Sequence, residues 1–145
     1  MYFVNRSKIE EILNYIDEIL QELETNSYES FMEKLALERM SQVFIESVLD
    51  VGNMMIDGFI MRDPGSYDDI IDILIDEKVL PEEEESSYKE IIKLRKVIVN
   101  DYISINHSEL IATMNAKKNI IKEFSSHIRT YLNSELGVAN AFSNE

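Results

Sequence analysis

An all-α protein is what this chain predicts, on three observations. Its apolar residues recur at three- and four-residue steps almost throughout, the spacing of one helix face. Only 4 Gly and 2 Pro punctuate 145 residues, too few for a many-turned β fold. An apolar fraction of 45% in a chain of one-domain length is enough for a single core.

The elements follow in order. Ile9, Ile12, Leu13, Ile16, Leu20 and Leu23 make one apolar face of a helix from about Ser7 to Glu24, with Glu10, Glu11, Asp17 and Glu18 largely around it. Thr25 to Ser27 is a loop. Asn26 with Glu29 reads as a capping box for a long helix from about Tyr28 to Met61. That helix carries Phe31, Leu35, Met40, Val43, Phe44, Val48, Leu49, Val51, Met54, Met55, Phe59 and Ile60 on more than one side, so it is expected to be buried on more than one side, the second face against a subunit. Gly52 and Gly58 mark close approach of another helix. Pro64 and Gly65 end it. Ser66 with Asp69 caps a short helix from Tyr67 to about Lys78, with Ile70, Ile71, Leu74 and Ile75 inward. The acidic run Glu82 to Glu85 reads as the solvated start of the next helix, where the macrodipole favours it.

Ser87 with Glu90 is a further capping box, for a fourth helix carrying Ile91, Ile92, Leu94, Val97, Ile98 and Val99. Its pattern is lost between Asn100 and Ile105. Asn106 with Glu109 starts a fifth helix containing Leu110, Met114, Ile120, Ile121, Phe124, Ile128 and Leu132, stopped at Leu136-Gly137. The expected architecture is a five-helix up-and-down bundle with one long central helix: one domain over residues 1–137, then a flexible tail, 138–145.

Composition excludes several function classes. There is no Cys, so no disulfide framework, thiolate metal site or Cys nucleophile. Two His are too few for a convincing His-based zinc site, and neither a metal nor a cofactor is expected. The longest apolar runs are a few residues, so no segment spans a membrane, and no signal peptide is visible. The cytoplasm is the expected location. With 28 acids, 14 bases and a net charge of −14, a general nucleic-acid coat is excluded, and any RNA contact must be local to a small basic face.

One constellation goes further. Arg95 and Tyr102 stand with four residues, one key position and one further residue between them. Val97, Ile98 and Val99 supply the apolar filling, Asn100 occupies the key position, and Asp101 precedes the Tyr. This resembles the signature of the HEPN superfamily, in whose HepT-like branch the key position is His. The long helix adds Glu38-Arg39, Gln42, Ile45-Glu46, Asp50 and Gly52, and the following loop Asp63-Pro64 and Tyr67, in the order of that branch. The likeness covers about residues 5–132.

The resemblance implies a homodimer of helical bundles, with a cleft at the dimer axis that cuts RNA without a metal. It also implies, as partner, a minimal nucleotidyltransferase antitoxin that transfers AMP from ATP to the motif Tyr. By carry-over Arg95, Asn100 and Tyr102 are the catalytic set and Tyr102 the AMP acceptor, with Glu46, Asp50, Lys96 and Asp101 as possible cleft support. The residues allow that chemistry. Cleavage by the ribose 2′-hydroxyl needs a proton acceptor, a proton donor and a cation at phosphorus, and an Arg fork suits the last. On a continued helix Arg95 and Tyr102 share a face. Asn100 does not titrate near neutral pH, so it supplies hydrogen bonds but no general base.

Bland readings stand beside these. Arg95 can be a surface ion-pair partner, Tyr102 a ring over the core with a wet hydroxyl, and Glu38, Gln42, Glu46 and Asp50 a solvated stripe; the alternative has Glu46 and Asp50 holding Arg95. Lys96 can add charge toward a phosphate or point to water. His107 reads as an exposed loop residue, or as a substitute for the missing His. His127 is given no role. Two functions therefore remain open: a HepT-like ribonuclease toxin, and a catalytically inactive dimer that binds a nucleotide, RNA or a partner at the same cleft.

Overall fold

The structure, a computed structural model, describes residues 4–143, with the side chains of residues up to 136. Among these residues there are six α-helices and no strand: α1 (Arg6–Thr25), α2 (Phe31–Gly58), α3 (Tyr67–Asp76), α4 (Glu85–Asn100), α5 (His107–Ala116) and α6 (Lys118–Ser143). A short 3₁₀ turn, Glu82–Glu84, leads into α4. The α class is as expected; the number of helices is not.

The difference lies in the last predicted helix, which is two. It breaks at Lys117, whose N–H bonds back to Thr113 O at 3.1 Å as α5 closes. No large apolar side chain lies between Met114 and Ile120, so nothing in Asn115–Asn119 anchors a straight helix to the core. Leu110 and Met114 bury one face and Ile121, Phe124, Ile128 and Leu132 another. The stop predicted at Leu136-Gly137 is absent: α6 runs on to Ser143, since a helical Gly costs only about 1 kcal/mol. Residues 144–145 of the predicted tail lie outside the described residues.

α2 is the axis of the bundle. From Phe44 to Gly58 it is buried on most sides, because α1, α3 and α4 all pack on it. The second apolar face is thus covered largely within the chain, and the expected subunit is not needed to explain it there. At Gly52 the approach of α3 is close: a Cβ would stand 2.6 Å from Ile70 Cγ2. The N-terminal turns of α2 differ, with Phe31 and Met32 both 80% exposed.

The caps redistribute. α2 begins at Ser30, whose Oγ accepts from Glu33 N at 3.1 Å while Ser30 N donates to Glu33 Oε1 at 2.9 Å. Asn26 instead closes α1, its side-chain amide donating to Glu22 O at 2.7 Å. Ser66 and Asn106 cap as predicted, each accepting from the N–H three residues on. Ser87 does not cap: α4 starts at Glu85, drawn upstream by the acidic turn, and Ser87 lies buried inside it.

Candidate functional site

The α4 motif faces α2. Arg95 Nε donates to Glu46 Oε1 at 2.5 Å, and its guanidinium lies 4.9 Å from the centroid of the Tyr67 ring. The site therefore joins α2, the start of α3 and α4. The Glu46 hydrogen bond raises the Arg95 pKa, with burial opposing it, so this Arg is a permanent cation. Of the two acids offered as its holders, Glu46 makes the contact; Asp50, one turn on, is exposed. The Arg95 side chain remains 29% exposed, accessible to a solute.

Asn100 is the last residue of α4, and Asp101 caps it with φ −103° and ψ 37°. Tyr102 therefore does not continue the helix beneath Arg95, as a shared face required. It sits in the turn that Ser104 N closes on Asp101 O at 3.0 Å, as buried Ile105 draws the chain inward. Tyr102 is 66% exposed, which discards the reading of its ring as a cap on the core. Asn100, Asp101 and Lys96 are exposed as well. Around the motif Val97, Val99 and Ile103 are exposed apolar residues, Ile103 at 89%.

His107 is not a free loop side chain. It opens α5, and its Nε2 lies 2.6 Å from Glu38 Oε2, both groups largely shielded. The stripe Glu38–Gln42–Glu46 thus carries His107 at one end and Arg95 at the other. Eight residues of helix separate Glu38 from Glu46, about 12 Å along the axis of α2.

A second polar cluster lies elsewhere, and sequence reasoning missed it. His127 Nε2 is 3.1 Å from Glu84 Oε1 and 3.7 Å from Glu123 Oε2. Glu84, expected to be solvated with its neighbours, is only 9% exposed. Tyr88 Oη donates to its Oε1 at 3.2 Å, and burial above all, then Glu84, pushes the Tyr88 phenol far above its ordinary range. One signal was available: Glu123 and His127 stand at i and i+4 on one helix.

The helical bundle thus sets Arg95 of α4 against Glu46 on its longest helix and leaves Tyr102 in the exposed turn that follows. The family model described as "Ribonuclease HepT-like" matches residues 9–128. The chain belongs to the HepT-like ribonuclease family, in the HEPN superfamily. It is 46% identical over 143 residues to a Bacillus subtilis (strain 168) protein named "Putative RNase YutE", covering 98% of this chain and 99% of that one. A solved structure described as that of a cytosolic protein of unknown function, YutE from Bacillus subtilis, superposes with a TM-score of 0.92 at 46% identity, covering 94% of this chain and 96% of that one.

Proposed function

We propose that this protein is a HepT-like ribonuclease toxin: a homodimer that cleaves RNA without a metal at a cleft containing Arg95, with activity lowered by Asn100. The observation that carries the reading is the placement of Arg95, oriented by Glu46 and Tyr67 yet open to a solute, on the helix that ends at Asn100. Family membership and the name of the Bacillus relative point to RNA as the substrate class.

In this reading Nε of Arg95 is spent on Glu46, and the terminal guanidinium edge meets the scissile phosphate, stabilising charge as it grows there. The ribose 2′-oxygen attacks phosphorus, the 5′-oxygen leaves with a proton, and a 2′,3′-cyclic phosphate results. Asn100 orients the phosphate or the 2′-hydroxyl by hydrogen bonds but takes no proton, so solvent must serve as base. Lys96 and Asp101, exposed beside the motif, belong to the rim of the cleft; Asp50 stands apart from Arg95 and has no part in holding it. Dimerisation is supported by the exposed apolar residues Val97, Val99 and Ile103 around the motif. The cytosolic description of the relative supports a cytoplasmic location.

The partner in this reading is a minimal nucleotidyltransferase. The Tyr102 oxygen attacks the α-phosphorus of ATP, pyrophosphate leaves, and AMP remains on the ring. A hydroxyl on a 66% exposed residue in a turn can enter another enzyme's site, which a core tyrosine cannot. Intact mass after incubation with that partner and ATP should rise by one AMP in wild type and not in Tyr102→Phe.

Cleavage of single-stranded RNA in EDTA tests the nuclease itself. General acid–base catalysis contributes about 100- to 10,000-fold, so Asn100→His should raise the rate by roughly 100-fold or more, and Arg95→Ala should abolish it in either background. The second reading, an inactive binding dimer, rests on Asn100 itself. It replaces the first if neither wild type nor Asn100→His cuts.

A further inference from the structure

We propose that Glu84, Glu123 and His127 form a binding site for a divalent cation of the zinc type, on elements separate from the Arg95 cleft. Two parts of the fold build it. Glu123 and His127 lie one turn apart on the same face of α6, a natural chelate. Glu84 comes from the 3₁₀ turn that starts α4.

The geometry is close to what a tetrahedral ion needs. Bonds of about 2.0–2.2 Å to nitrogen and oxygen put neighbouring ligand atoms about 3.3–3.6 Å apart. The observed edges from His127 Nε2 are 3.1 Å to Glu84 and 3.7 Å to Glu123, and all three ligand atoms lie within 4.8 Å of one another. The third edge closes by a rotation of Glu123, whose side chain is 59% exposed and free to turn.

The cluster also differs from an ordinary acidic patch. Glu84 is 9% exposed, and Tyr88 Oη bonds its Oε1 at 3.2 Å, the outer partner that orients a ligating carboxylate. With His127 neutral, the three ligands carry two negative charges, which a divalent cation cancels. His127 is 26% exposed and Glu123 59% exposed, so solvent reaches the cluster and can supply a fourth ligand. An imidazole with two carboxylates suits zinc and its first-row neighbours better than magnesium, which prefers oxygen alone. A bound ion would tie the start of α4 to α6.

The test uses the full chain stripped with EDTA, titrated calorimetrically with ZnCl₂ and spectroscopically with Co²⁺, whose visible absorption reports a four-coordinate shell. Wild type should bind a single Zn²⁺ per chain and melt at a higher temperature with it. His127→Ala and Glu123→Gln should each weaken binding by more than the roughly 10- to 100-fold that loss of an outer partner costs. His107→Ala, which removes the other His–carboxylate pair, should bind as wild type does. Because His127→Ala leaves the shielded Glu84 carboxylate with Tyr88 alone and can lower stability, Glu123→Gln at its exposed position is the deciding variant. Binding that is absent in wild type, or undiminished in Glu123→Gln, overturns the proposal, as does binding lost in His107→Ala.

Discussion

Two residues show how much a single side chain decides here. At Gly52 the missing Cβ is what lets α3 approach α2. An added methyl would stand 2.6 Å from Ile70 Cγ2 and 3.5 Å from Leu74 Cδ1. Ile70 is 2% exposed and β-branched, so its methyl has few other rotamers and no space to enter. Gly52→Ala sets a helix-propensity gain of about 1 kcal/mol against an overpacking cost of about 1–3 kcal/mol. Overpacking should prevail, with a net loss of about 1 kcal/mol in urea unfolding. The double variant Gly52→Ala/Ile70→Ala should lose less than the sum of its two singles, because the second change removes the clash. At the other extreme is Asn100, exposed at a helix end, where the proposed function puts the effect of a substitution on chemistry rather than on the fold. Stability measurements should register Gly52 and pass over Asn100, whereas cleavage assays read Asn100 directly.

At the scale of elements, the capping of α2 separates two sequence signals that look alike. Asn26–Glu29 and Ser30–Glu33 both fit a capping box, but only the second has both reciprocal bonds, at 3.1 and 2.9 Å. Ser30→Ala should therefore cost about 1 kcal/mol of global stability, within a range of about 0.5–2. Asn26→Ala removes exposed bonds to Glu22 and Thr25 at the end of α1 and should cost less, because water replaces them; thermal unfolding of the two variants checks the order. The same contrast explains what was legible. The helices α1 to α4 follow from periodicity, as do the inward faces of α1 and α3, where one apolar stripe has one way to be buried; on α2 and α4, Phe31, Leu35, Val97 and Val99 fit the spacing yet are exposed. Boundaries were less legible, since several Ser or Asn residues precede an acid by three positions and tertiary packing chooses among them. The break at Lys117 depends on how two apolar faces meet the core, which spacing alone does not encode. At the site, the motif pointed to Arg95, and its pairing with Glu46 was one of two readings. That Tyr102 leaves the helix was signalled by the apolar pattern lost after Asn100; that His107 meets Glu38 and that His127 meets Glu84 are contacts between elements distant in sequence, the last joining residues 43 apart.

For the whole molecule, the governing fact is a charge of −14 per chain, or −28 for the proposed dimer. RNA is a polyanion, so such a protein gains no affinity from its overall field. Binding must come from a few fixed cations at short range. Each phosphate contact with a single strand contributes about −0.7 to the slope of log K against log salt. Two copies of Arg95 at a dimer axis would give about −1.4. Added salt also screens the repulsion between the two acidic bodies and the RNA, over a Debye length of about 10 Å at 0.1 M, and this pulls the slope back toward zero. The expected salt dependence is therefore shallow, between zero and about −1.5, whereas a protein making 6–10 phosphate contacts shows a far steeper one. Fluorescence anisotropy with a 2′-O-methyl RNA, which binds but lacks the attacking hydroxyl, measures the slope without turnover. Arg95→Ala should weaken binding and flatten the slope. A slope steeper than about −3 would mean at least four phosphate contacts and would move the RNA site away from Arg95 to a larger basic surface.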